Sequence, residues 1–357
     1  MLNPILFMTN TNSNITEMKP KPYSRFRAIA WLRRHEQRLW WLHSLYALLL
    51  GIGIMWLGHR NYTFLRVAVF HISFIWLSSL LLRSVIESPR LTPHWQGLLR
   101  AVINYFNKNF YQQVLFFILP IYYATATFPS RNFTFVVLIA VSAALSSLDV
   151  VYDQHLSVRR GLNALFFAFN VFVLINVMLP VLWSIANAWA ARIAALFAAV
   201  GFLTLYLPFS QLRAWKRMWM TAAALVLLVV VELGRVYVPP APLHLMWSEF
   251  GPDFDRSAMR VAKPIDQLEP ADHARLFGLT AIRAPLGLKE RVRHRWYLDG
   301  QLIFTSAAFE ITGGREDGFR LWTICNLENV RPGSTLNIDA ETESGQLIGR
   351  AWLKARM

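Results

Sequence analysis

Cysteine is nearly absent: Cys325 is the one thiol in 357 residues. A single thiol excludes an intrachain disulfide, so each folded part must hold itself by its own apolar core. Acid is scarce at first. Before Trp247 there are 6 Asp+Glu against 21 Lys+Arg, and from Trp247 onward there are 15 of each. The net charge of +15 therefore belongs to the first part alone. A basic chain invites a nucleic-acid reading, but here the positives are confined to loops between apolar stretches, so no nucleic acid is expected. Also missing are a Ser-His-Asp arrangement, metal-ligand spacing, a phosphate-cradling glycine loop and an internal repeat of the transporter kind. No metal, cofactor or catalytic set is expected.

What is present first is apolar length. Seven stretches run over Trp41–Gly58, Thr63–Leu82, Val114–Phe128, Phe133–Leu148, Leu162–Trp183, Ala188–Phe209 and Met218–Val238. A helix needs roughly 20 apolar residues to cross the hydrocarbon core, and backbone in lipid must satisfy its own hydrogen bonds. The expectation is a polytopic α-helical membrane protein of about seven transmembrane helices. The third stretch is the vulnerable one, being short and holding Pro120.

The positives alternate from side to side. Seven lie in the N-terminal arm, four after the second stretch (Arg83, Arg90, Arg100, Lys108), two after the fourth (Arg159, Arg160) and three after the sixth (Arg213, Lys216, Arg217). The opposite side holds Arg60, Arg131 and Arg192, with Arg66 just inside the second stretch. Short Lys/Arg-rich loops stay cytoplasmic. This predicts a bacterial inner-membrane protein with a cytoplasmic N terminus, a periplasmic C-terminal domain and contact with anionic lipid. No cleavable signal peptide is expected. Residues 1–22 read as a disordered tail, in which Asn14-Ile15-Thr16 has no role. Tyr23–Trp40 reads as an interfacial helix, and Leu98 to Phe110 recur at helical spacing. The expected partition is 1–40 basic arm, 41–238 membrane part, 239–272 linker and 273–357 β domain.

Val238-Pro239-Pro240-Ala241-Pro242 reads as a stiff spacer, and Trp247–Asp272 as mixed polar chain with one short helix. Then the period changes. Val292, His294, Trp296 and Leu298 alternate with Arg291, Arg293, Arg295 and Tyr297, the pattern of a half-buried strand. Asp299-Gly300 follows, a dipeptide suited to the positive φ angles of a tight hairpin. Gln301–Thr305, Ala308–Thr312, Phe319–Cys325, Thr335–Glu341, Leu347–Lys354 and Leu276–Ala284 complete six or seven strands at sandwich spacing. An immunoglobulin-like sandwich is the expected form. Cys325 reads as a small buried residue within it.

His294-Arg295-Trp296-Tyr297 with Asp299-Gly300, then Gly313-Gly314-Arg315, Gly318-Phe319-Arg320-Leu321-Trp322, Pro332-Gly333 and Gly345-Gln346-Leu347-Ile348-Gly349-Arg350, resembles the bacterial domain-of-unknown-function family 2914 over roughly 262–357. The preceding part resembles the multi-span region that often accompanies that domain. The resemblance implies a module and no catalytic residues.

Two sets of residues invite chemistry. In the helical part Asp149, Asp153 and His155 gather acid and imidazole near one interface, where Mg²⁺ and a lipid phosphate would fit; the further acids and glycine framework of lipid-head-group transferases are missing, which favours a loop that packs and orients the helices. Glu232 and Arg235, three apart, suit an ion pair or a substrate site. Asn163, Asn170 and Asn176 suit helix bridging. In the β domain Arg291, Arg293 and Arg295 share one face with Tyr297, facing either an anionic ligand or solvent. The leading expectation is a non-enzymatic membrane protein displaying a recognition domain to an envelope protein or anionic glycan. A lipid or solute transporter is the alternative. An enzyme of lipid-linked substrates built on Asp149, Asp153 and His155 is the second.

Overall fold

A computed structural model describes residues 111–148, 151–156, 159–206 and 214–356, with residues 45, 49 and 92. The N-terminal tail, the segment Tyr23–Trp40, the stretches Trp41–Gly58 and Thr63–Leu82, the run Leu98 to Phe110 and Asp149 lie outside that range, apart from those three residues.

Five helices are described: α1 (111–125), α2 (Phe133–Ser147), α3 (Arg160–Trp183), α4 (Asn187–Tyr206) and α5 (Ala214–Gly234). A π-helical turn, Tyr152–Leu156, lies between α2 and α3, and a 3-10 turn, Arg235–Tyr237, follows α5. α3 forms because its 24 residues are apolar nearly all round. Its helix ends where Ser184 turns left-handed, at φ 55°. α4 lies close against α3 because its buried positions are small, with Ala190, Ala194 and Ala198 one turn apart. Tyr111 of α1 meets Phe166 of α3 edge-on at 5.6 Å between ring centroids.

The seven-span bundle expected from hydropathy is corrected here. Among the described residues one helix, Gly161–Trp183, is long and apolar enough to cross a membrane, with mean hydropathy 2.4. Phe133–Ser147 and Asn187–Leu203 are apolar but shorter. Apolar sequence overestimates helix length. The third stretch stops being helical at 125, and Leu148 leaves α2 in extended conformation. The 15 residues of α2 reach only about 22 Å, short of a core about 30 Å thick. The seventh stretch carries Glu232 inside α5.

The C-terminal part is all β. Its strands are β1 (His244–Gly251), β2 (Phe254–Asp255), β3 (Arg260–Val261), β4 (Gln267–Leu268), β5 (Ala271–Arg283), β6 (Lys289–Leu298), β7 (Gln301–Thr305), β8 (Phe309–Thr312), β9 (Phe319–Val330), β10 (Thr335–Thr342) and β11 (Leu347–Ala355). One sheet has the order β1-β5-β9 and the other β4-β11-β10-β6-β7, with β8 also on β6. β2 and β3 form a separate ribbon. The order departs from the expected immunoglobulin-like form, since β4 joins β11 in parallel and β7 and β8 share β6. The segment read as polar with a short helix is instead β1 to β4.

The two larger sheets share a core that includes Phe250, Leu276, Trp296, Leu327, Ile338 and Leu353. The expected alternation on β6 is present: Val292, His294 and Trp296 are buried. The Asp299-Gly300 hairpin is also present, with φ of 50° and 80°. His294 bridges the sheets, placing Nε2 2.8 Å from Thr280 Oγ1 on β5 and Nδ1 2.8 Å from Thr323 Oγ1 on β9. Trp296 Nε1 donates to the same Thr323 hydroxyl at 2.9 Å. Burial lowers the imidazole pKa from 6.5 to about 3. Cys325 is buried, and burial pushes its thiol up to about 11.

The proline segment is a buried junction: Val238, Ala241 and Leu243 are all inside. Around it the helix ends meet the β domain through polar contacts. Asn132 Nδ2 donates to Leu347 O at 3.0 Å and Gln346 Nε2 to Val238 O at 3.1 Å. The first amide of α4, Asn187 N, donates to Glu290 Oε2 at 2.7 Å. A carboxylate at a helix N-terminus meets free amides and the positive end of the helix dipole. Burial raises the Glu290 carboxyl, against the bonds from Asn187 that lower it. The 126–132, 184–187 and 235–243 segments thus lie on the β-domain side.

Candidate functional site

Strand register builds a ladder on the outer face of the six-stranded sheet. Tyr297, Asn337 and Trp352 lie abreast on β6, β10 and β11, and Arg295, Asp339 and Arg350 form the next row. Arg293 and Glu341 follow. Every strand contributes alternate residues to this face, so the rows repeat at every second position. Arg350 Nη2 reaches Asp339 Oδ2 at 2.6 Å, a charge-assisted pair. Arg293 and Arg295 both reach Glu341, at 3.5 and 3.6 Å, and Arg291 reaches Glu343 at 3.1 Å. Burial raises the Glu341 carboxyl, against the pull of Arg295 and Arg293. Among the described residues Glu341 Oε2 and Arg293 Nε have no hydrogen-bond partner.

Above this ladder is a cavity of about 870 Å³, closed on one side by Ser130 to Asn132 and Val236 of the helical part. Tyr297 and Trp352 line it with Asn337 between them. Arg295 stacks 5.5 Å from the Tyr297 centroid and Arg350 5.3 Å from that of Trp352. The stacked guanidiniums hold the rings in place. The result is two aromatic faces, one amide and a lining with equal numbers of cationic and anionic side chains.

The three arginines of β6 are therefore not a free cationic row, because Glu341 of β10 and Glu343 just beyond it lie against them. Tyr297 and Arg295 do enter the cavity. Arg291 does not. It lines a second, smaller recess of about 430 Å³ beside Arg192 and Arg235. There Glu232 holds Arg235 at 2.6 Å and Arg192 at 3.0 Å, so the expected pair is a triad. His155 is exposed in the turn Tyr152–Leu156, whose end of α3 lies opposite the β domain; Asp153 shares that turn. About 36 Å of helix separates that turn from the junction. Asn170 is buried and donates to Phe166 O at 2.8 Å, while its Oδ1 has no partner among the described residues.

A family model described as Family of unknown function (DUF5924) matches residues 23–281. The chain belongs to that family. A second model, Protein of unknown function (DUF2914), matches residues 289–352, the ladder strands β6, β10 and most of β11. The DUF5924 match thus runs through the helices into β5, and the DUF2914 match begins at β6. No curated protein matches the chain. Among solved structures, the Pseudomonas fluorescens alkylpurine DNA glycosylase AlkC bound to DNA containing an abasic site analog aligns over 76% of this chain and 83% of that one, at 11% identity and a TM-score of 0.22. A superposition that loose carries no argument.

Sequence reasoning missed Asn337, Asp339, Glu341, Arg350 and Trp352. Their relevance comes from pairing across three strands. Glu290 was within reach: it falls on the inward positions 290, 292, 294 and 296 of β6, where a charge needs a buried partner.

Proposed function

We propose that this DUF5924 member is a non-enzymatic recognition protein of the bacterial envelope. Its helical part sits in lipid, with α3 crossing and the shorter apolar helices around it, and the β domain stands on the extracytoplasmic side. Its junction cavity takes an uncharged saccharide. The observation that carries the ligand class is the juxtaposition of Tyr297, Asn337 and Trp352 in a lining where Arg131, Arg295 and Arg350 are matched in number by Asp299, Asp339 and Glu341, leaving no net charge to attract an anion. Sugar rings offer apolar faces to aromatic planes and hydroxyls to amides and paired charges. Lipid residence is supported by apolar side chains left uncovered on the helices, including Leu165, Phe197, Val226, Val230 and Leu233. An exposed apolar surface of that extent calls for a partner, and lipid is the one matched to helices this apolar.

The test is titration of the full-length protein with the N-acetylglucosamine tetramer and with maltotetraose, read by tryptophan fluorescence. At least one is expected to bind, and Trp352→Ala and Tyr297→Ala each weaken binding several-fold. Binding by neither, or binding unaffected by both substitutions, contradicts the reading.

A further inference from the structure

The outer face of the three-stranded sheet has the opposite charge character to the cavity. Register sets Trp247, Ala281 and Arg320 abreast, then Glu249, Leu279 and Trp322, then Gly251, Phe277 and Ile324. The β2–β3 ribbon folds over this face. Gly251 permits it, because a Cβ there would lie 2.4 Å from Lys263 O and 2.5 Å from Val261 Cγ1. Phe254 of the ribbon stacks on Trp322 at 4.8 Å between centroids, with planes 26° apart.

Three arginines gather at the turn of that ribbon. Arg256 stacks 5.8 Å from the Trp322 centroid, and Arg260 and Arg320 stack 5.6 and 5.7 Å from that of Trp247. Arg320 also donates to Ala258 O at 2.9 Å. Two guanidiniums on one indole are thus at most about 11 Å apart, within range of mutual repulsion in a half-exposed site. Among the described residues none of the three has an ion-pair partner. Two acids of β1 and β2 are engaged otherwise. Asp255 Oδ1 accepts from Ser257 and from the Ala258 amide, and Glu249 Oε2 accepts from Val261 N. On the six-stranded sheet, by contrast, Arg291, Arg293, Arg295 and Arg350 each have a carboxylate.

We propose that the Arg256–Arg260–Arg320 cluster, with Trp247 and Trp322, is a second binding site that takes an anionic glycan. Each guanidinium lies within 6 Å of an indole centroid, and a guanidinium fork can pair a carboxylate or phosphate by two parallel bonds. The rings supply apolar area for the sugar planes between charges. A glycan bearing a charge on each residue satisfies the three cations together and removes their repulsion. This site shares no residue with the cavity, and its failure leaves the cavity reading standing.

The experiment uses the full-length protein in phosphatidylcholine nanodiscs, whose lipid carries no net charge. The probes are tetragalacturonate, maltotetraose and a single-stranded deoxynucleotide tetramer. Tetragalacturonate is expected to bind, more weakly at 200 mM than at 50 mM salt, since exposed charges are screened. Arg256→Gln and Arg320→Gln each weaken it about 10-fold, the loss of one charge-assisted contact. Arg260→Lys keeps the charge and loses the fork, giving a smaller loss that reports on geometry rather than folding. Lys354→Gln, on the other sheet, leaves binding unchanged. The proposal is overturned if tetragalacturonate does not bind, if the arginine variants bind it as tightly as the parent, or if maltotetraose binds with the same arginine dependence. Tighter, arginine-dependent binding of the deoxynucleotide overturns it in favour of a nucleic-acid face.

Discussion

His294 sits between Thr280 and Thr323 with both ring nitrogens engaged. An unfolded imidazole takes a proton near pH 6.5, and the folded one only near 3. Between those values the unfolded chain binds more protons. Stability is therefore complete above about pH 6.5 and falls as pH drops toward 3, by at most about 1.4 kcal/mol per pH unit. Glu290 and Glu341 act with the opposite sign, because their carboxyl pKa is raised in the fold: their term declines as pH rises above the ordinary carboxylate value. His294→Gln isolates the imidazole. We expect that variant to be less stable at pH 8 but to lose less stability between pH 6.5 and 4, followed by near-ultraviolet circular dichroism. An unchanged slope contradicts the buried-histidine account. The inward place of His294 was legible in sequence, because alternation on β6 is local. Its threonine partners were not, because they arrive from β5 and β9 by long-range pairing.

The hairpin between β6 and β7 and the start of α4 show two ways an element is fixed. At the hairpin, Gly300 holds a φ of 80° and nothing lies within 4 Å of where its Cβ would be. Substitution there is penalised by backbone conformation and not by crowding. Gly300→Val is expected to cost about 1–2 kcal/mol, more than Arg293→Ala, whose partner Glu341 keeps Arg295. Urea unfolding of the two variants compares them; the reverse order contradicts the register. At α4 the determinant is distant, since Glu290 of β6 accepts from the Asn187 amide and side chain. Glu290→Ala leaves buried donors unpaired, at about 1–3 kcal/mol, and amide exchange at 187–190 should accelerate first. Exchange that rises uniformly, or not at all, argues against the cap. Asp299-Gly300 was readable because a turn states its own φ requirement. β1 was not, because His244–Gly251 has partners on both faces and so lacks alternation. Helix ends were overrun for a related reason: hydropathy continues through Phe128 and Leu148 although the helices stop.

At the scale of the molecule, the account joins an apolar helical part to a neutral β domain through buried polar contacts, with the cavity at the seam. Composition showed the division, through the change of charge balance at Trp247. It did not show that Val238 to Leu243 would be buried rather than a free spacer, since burial depends on what packs over the prolines. The buried thiol of Cys325 gives a direct test of where the β domain stands. It is inaccessible and weakly acidic, so the folded protein offers a membrane-impermeant maleimide no reactive site. Lys354→Cys adds one on exposed β11. In intact spheroplasts the account predicts labelling of Lys354→Cys, none of the parent, and retention of both in the membrane pellet after carbonate washing. Labelling of Lys354→Cys only after lysis, or release of the protein by carbonate, would contradict it.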